Sequence, residues 1–306
     1  MLRALDDDGR PREPATVLDL PFVAGLVPAP EGALVIGPDR LIMVDQLGRP
    51  LAPARVFDLV PTGNHRGFAH GPAGLLAIAL ARGESGTHLT STLFDPADGR
   101  RLHGPFAIGI GDAFVVALGT ALLPGGGAPT AWSEGNEIRV LRLNARGAPE
   151  GGACSVYRVP AGGALQCCWL ATEGEVARLV WRDSAEGDFV VRSMVLGADG
   201  SPGEVVVVSD GRGDALHPSV VAGVDGTVVD WVSGVRFGLF ARSGRGVLAL
   251  NRADGRGPVR QFETPGGIER VALAAEGDRI AAVVLWREAE GARNTRLAAR
   301  GFAALE

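Results

Sequence analysis

The chain contains no lysine: all thirty basic residues among its 306 are arginine. That excludes a Schiff-base lysine, a P-loop lysine and a lysine general base. Tyrosine occurs once and aromatics make up only 6% of the chain, so Val, Ala and Leu must build most of the core. Cysteine occurs three times, at Cys154, Cys167 and Cys168. An odd, low count fits a reducing compartment. Read on a strand, Cys167 and Cys168 point to opposite faces and act as two small buried hydrophobes. Long apolar runs are missing too. The longest clean one, "IAAVVLW" from Ile280 to Trp286, falls far short of the roughly twenty residues that a spanning helix needs. The N-terminal "MLRALDDDGRPREP" is acidic where a signal peptide is apolar, which makes a cytoplasmic location the expectation. The net charge is −5 and no basic block exists, so neither nucleic acid nor a membrane surface is an expected partner.

Turn formers are plentiful, with 45 glycines and 20 prolines. Helical periodicity is absent and short extended runs are broken by Gly, Asp and Asn, the composition of an all-β chain. The breaks recur. Turns at Asp8-Gly9, Leu47-Gly48, Asp98-Gly99, Arg146-Gly147, Asp199-Gly200, Asp254-Gly255 and Arg300-Gly301 are 39 to 55 residues apart. Such pairs supply the positive φ angles of tight hairpins. Trp132, Trp181, Trp231 and Trp286 recur every 49 to 55 residues. Residues 164–210 read as four extended runs: "LQCCWLATEGE", "VARLVWRDSAEGD", "FVVRSMVLGADG" and "EVVVVSD". Four strands in about 40–50 residues is the unit of a propeller blade. The rest of the chain divides at 21–61, 62–110, 111–160, 161–210, 211–265 and 266–306.

These units resemble the β-propeller repeats common in bacterial proteins, in which an apolar strand ends in Trp-x-Asp/Glu and the next strand ends in an Asp-Gly turn. The first two units carry "ALVIGPDR" and "LLAIALARGE" where the others have the Trp. The resemblance implies a fold and no particular activity. The expectation is one β-propeller domain over residues 1–306 with six blades, closed by an N-terminal strand that completes the last unit. Surplus sequence in the fifth unit, "VRFGLFARSGRGVLALNR", leaves a seventh blade open.

The recurring tryptophans read as packing residues that fill the same gap in each blade. The alternative is a repeated carbohydrate platform with Arg182 and Asp183 as polar partners. Polar residues after the Trp, namely Glu134, Arg182, Asp183, Arg287 and Glu288, fall where the chain leaves the sheet, on the loop face where propellers bind partners. Asn64 and His65 lie in the link before one unit, and His217 in the matching link before another. Asp214 completes Arg212-Gly213-Asp214, an adhesion tripeptide by composition alone in a chain rich in all three residues. The five histidines have no zinc-like spacing with cysteine. "DDDG" lacks the rest of an EF-hand loop. "LLPGGGAP" is followed by no helix that would cradle phosphate. No Gly-x-Ser-x-Gly elbow is present. No metal and no cofactor are therefore expected. The failure of each catalytic pattern favours a non-catalytic scaffold with a protein partner. A lectin with repeated pockets is the second reading. A hydrolase or lyase at the channel mouth, built from His65, His217 and carboxylates of different blades, is the third.

Overall fold

A computed structural model describes residues 25–302 apart from 30–31, 38–39, 46–48, 57–65, 84–85, 109–114, 185–186, 210–213, 224–225, 236–245, 257–258, 265–266, 277–278 and 288–294. Every regular element among them is a strand. β1 (Gly25–Ala29), β2 (Gly32–Ile36), β3 (Arg40–Asp45) and β4 (Arg55–Val56) form the first sheet. β5 (Arg66–Gly71), β6 (Gly74–Gly83), β7 (Gly86–Phe94) and β8 (Arg101–Ile108) form the second. β9 (Val115–Thr120), β10 (Ala128–Glu134), β11 (Glu137–Leu143) and β12 (Pro149–Arg158) form the third. β13 (Leu165–Glu173), β14 (Val176–Asp183), β15 (Val190–Leu196) and β16 (Val206–Val207) form the fourth. β17 (Asp214–Gly223), β18 (Gly226–Val235), β19 (Gly246–Arg252) and β20 (Arg260–Thr264) form the fifth. The last sheet is β21 (Gly267–Glu276), β22 (Arg279–Arg287) and β23 (Thr295–Phe302), described by its backbone.

The sheet boundaries follow the divisions read from the turns, but the blade count does not. Among the described residues five sheets have four strands and the last has three, so five complete blades are seen rather than six or seven. The N-terminal stretch expected to complete the last sheet lies outside the described residues. The surplus sequence makes no seventh blade among the described residues. "GVLALNR" is the single strand β19, paired with β18, and Trp231 belongs with the turn at Asp254-Gly255. Arg300-Gly301 is no turn. It lies inside β23, opposite Ala281 and Ala282.

By compactness the chain divides into two units. One contains Pro11–Val156 and Ala198–Ser201, the other Tyr157–Gly197 and Pro202–Glu306. In the first, β1 lies beside β5 and β5 beside β9. In the second, β13 lies beside β17 and β17 beside β21. First strands of consecutive sheets are thus neighbours. The second strands are the most buried. β14 is buried from Ala177 to Asp183, as a strand covered on both faces should be. Trp132 anchors a core with Leu76, Ile78, Leu89 and Leu141 in the first unit, and Trp231 one with Val180, Val191 and Ala249 in the second.

The Asp-Gly turns do more than reverse the chain. Gly147 has φ +79° and Gly255 has φ +70°, a region costly for other residues. Each also presses on the preceding sheet. A Cβ on Gly147 would lie 3.2 Å from Leu76 of β6, and one on Gly255 would lie 2.8 Å from Val206 of β16. A Cβ on Gly99 would likewise lie 2.7 Å from the Val56 carbonyl oxygen, whereas one on Gly200 would make only ordinary contact with Val140 at 3.8 Å. The Ser91 hydroxyl donates to the Gly147 carbonyl at 2.6 Å, and the Ser193 hydroxyl donates to the Ala253 carbonyl.

Candidate functional site

In the second unit β14 ends in Trp181-Arg182-Asp183, and all three are buried. The Trp181 indole N–H donates to Asp183 Oδ2 at 3.1 Å. Arg192, directly opposite Trp181 on β15, donates from Nε to the same oxygen at 2.8 Å. Tyr157, near the end of β12, donates its hydroxyl to it at 2.8 Å and packs its ring 4.8 Å from Trp181. Burial, reinforced by the Asp183 carboxylate, pushes the Tyr157 hydroxyl up to about 12. Tyr157 therefore stays protonated at neutral pH. Asp183 Oδ2 thus accepts from Tyr157, Trp181 and Arg192, which holds the carboxylate in place as a structural acceptor. Arg182 donates to Gln166 Oε1, and its guanidinium carbon lies 4.7 Å from the centre of the Phe189 ring.

The same device occurs in the third sheet. Trp132 donates to Glu134 Oε2 at 3.1 Å, and Arg139, opposite Trp132, lies 3.6 Å from Glu134. In the last sheet the register sets Arg296 opposite Trp286, with Glu288 two residues on from that Trp. The fifth sheet breaks the pattern. Ala249 stands opposite Trp231, Ser233 occupies the acid position, and the buried Trp231 N–H has no partner among the described residues. Trp-x-Asp/Glu is thus an internal cap for a buried indole. Trp132, Trp181 and Trp231 have no exposed surface, which removes them as carbohydrate platforms. The loop-face expectation also changes for Arg182 and Asp183, which are 4% and 0% exposed because they serve this interior network.

The remaining expected residues are more scattered. Asn64, His65 and Glu288 lie outside the described residues. Asp214 opens β17, His217 follows on the same strand, and Arg287 ends β22. In the first unit His70 and Asp95 border an open cleft of about 650 Å³ with Pro72 and Leu102. Asp95 is spent there on its own turn, accepting from the Ala97 N–H at 2.8 Å. Among the described residues no cluster of three or more His, Cys, Asp or Glu could hold a metal. No helix among them is long and apolar enough to cross a membrane.

Register reveals what spacing concealed. In each first strand of the second unit the pairing slips next to the Trp of the second strand. Cys167 is an extra residue between Gln166 and Cys168. His217-Pro218 bulges opposite Trp231, between Leu216 and Ser219. Glu269 is an extra residue between Ile268 and Arg270. Bulges re-aim side chains and concentrate beside functional sites. Three neighbouring strands thus leave the ladder at one level, bringing the backbone positions of Cys167, His217 and Glu269 to equivalent places, with Asp214 just ahead. The other end of the same unit is tied shut. Arg178 donates to Glu173 through two bonds of 2.8 and 3.2 Å, and Thr227 donates to it at 2.9 Å, joining the β13–β14 and β17–β18 turns. The Arg178 hydrogen bond holds Glu173 below the usual carboxylate range.

No family model matches the chain, and no curated protein matches it. Solved structures do. A Penicillium chrysogenum α-L-arabinanase, complexed with arabinobiose, is 15% identical with a TM-score of 0.58, over 90% of this chain and 87% of that one. A Kuenenia stuttgartiensis hydrazine synthase is 13% identical with a TM-score of 0.57, over 91% of this chain and 80% of that one. A Dyadobacter fermentans protein of unknown function is 8% identical with a TM-score of 0.59, over 99% and 97%. The arabinanase likeness, running through nearly the whole chain, overturns the expectation of a non-catalytic scaffold, and a protein partner finds no support. The fold is an all-β propeller.

Proposed function

We propose that the chain is a carbohydrate-active enzyme that cleaves glycosidic bonds, with its site at the start of β13, β17 and β21. The aligned bulges of these strands carry the reading. They set Glu269 and Asp214 on adjacent strands, with His217 between them in the chain. Glycoside hydrolysis needs two carboxyl groups on separate supports, one giving a proton to the leaving oxygen and one activating water or attacking carbon. In this reading Glu269 and Asp214 supply the two carboxyl groups. The arabinanase, of similar extent, supports a carbohydrate as the substrate.

Reducing-end release from linear arabinan and a panel of neutral polysaccharides tests this. The expected result is turnover that Glu269→Gln and Asp214→Asn each lower by at least about a hundredfold. No release from any substrate, or full activity in both variants, overturns it. The reading takes residues 1–306 as one domain, with the N-terminal stretch pairing onto the three-stranded last sheet. A cytoplasmic location belongs to it as well, checked by fractionation of the source cells.

A further inference from the structure

Trp169 is the tryptophan that lies outside the repeat. It sits in β13 and is 48% exposed, while Trp132, Trp181 and Trp231 have no exposed surface. Packing does not demand it. Trp169 pairs with Val180, the residue before Trp181. The same register position holds Gly119 opposite Ala131, Ser219 opposite Asp230 and Arg270 opposite Leu285. A slot that accepts glycine, serine or arginine in sister sheets has no gap that calls for an indole. An indole left half in water is a large apolar surface with a polar edge, the kind of surface that binding sites keep exposed.

We infer that Trp169 is a stacking platform for a neutral saccharide ring. The inference rests on the glycosidic-bond-cleaving reading, because the ring stands two residues beyond the Cys167 bulge and so next to the level proposed for catalysis. A saccharide ring presents a face of C–H groups that packs flat on an indole, while its hydroxyls stay at the rim for polar partners. Of the saccharides that stack, a neutral one suits this chain, since its net charge of −5 opposes a polyanionic glycan.

The test uses the full chain as Glu269→Gln, with and without Trp169→Ala or Trp169→Phe. Linear arabino-oligosaccharides are the probe, followed by calorimetry and tryptophan fluorescence. Expected are saturable binding with a fluorescence change, at least about a tenfold weaker Kd in Trp169→Ala, and near-parental binding in Trp169→Phe. The melting temperature should stay unchanged in both, because the ring is not a core residue. Unchanged binding in Trp169→Ala overturns the inference, as do a collapse of its melting temperature, absence of binding by the parent, or tighter binding of polygalacturonate. The two readings fail separately. Trp169-dependent binding without turnover in the unmodified chain sinks the catalytic reading alone. Turnover whose KM ignores Trp169→Ala sinks this inference alone.

Discussion

At the scale of single residues, the Trp motif shows how a sequence signal and its meaning come apart. The spacing of Trp132, Trp181 and Trp231 was legible, and so was their burial. The purpose of the acid two positions later was not, because it depends on a residue in another strand. Where the acid is present an arginine stands opposite the indole, as Arg139 and Arg192 do. Where Ser233 replaces the acid, Ala249 replaces the arginine. The pairing is consistent with the arginine being there to serve the carboxylate, since a partly buried arginine is best placed beside an opposite charge. Beside this bare indole sits a second oddity. Asp230 is fully buried, accepts from the Ser219 hydroxyl and leaves Oδ2 without a partner among the described residues. Burial pushes its carboxyl from 3.8 up to about 7. Between those values the folded chain keeps a proton that the unfolded chain has released. Its contribution to stability is therefore complete below about pH 4 and is lost as pH rises through about 7. Asp230→Asn should flatten this slope and raise stability at pH 8, measured by urea unfolding across pH 4 to 8. An unchanged slope would show that Asp230 is not the titrating group.

At the scale of elements, the strands and their turns were largely legible, and their cross-strand register was not. Alternation and Gly punctuation mark where each strand lies. A bulge depends on which residue faces which, and Cys167, His217 and Glu269 carry no local mark of standing out of the ladder. That is why the carboxylate pair escaped a search by spacing, and why Glu269 was not singled out at all. Trp169 escaped for a related reason: a search for repeats discards what does not repeat. The Asp-Gly turns were recognised as hairpin turns, yet their contact with the preceding sheet needed coordinates. That contact predicts a cost beyond φ. Gly255→Ala must bear a positive φ and a Cβ placed 2.8 Å from Val206, whereas Gly135, with φ +61°, has open space where its Cβ would go. Both substitutions should cost about 1 kcal/mol for φ alone, with Gly255→Ala the worse of the two in denaturant midpoint. Equal losses would remove the wedge from the account.

At the scale of the molecule, the repeat gave the architecture and overcounted the blades. The sixth blade was expected to take its fourth strand from the N-terminal stretch, and among the described residues β21–β23 is a three-stranded sheet. An unpaired edge strand invites association. If the N-terminal stretch covers that edge, deleting residues 1–21 should lower the melting temperature and produce concentration-dependent oligomers on gel filtration. A deletion variant that melts with the parent and stays monomeric would count against closure. The turns also give assembly a direction. Gly99 rests on Val56, Gly147 on Leu76, Gly200 on Val140 and Gly255 on Val206, so in each pair the seat precedes the occupant in the chain. A ribosome delivers such a polypeptide seat first. For these four turns the surface that each rests on is therefore made before the turn itself.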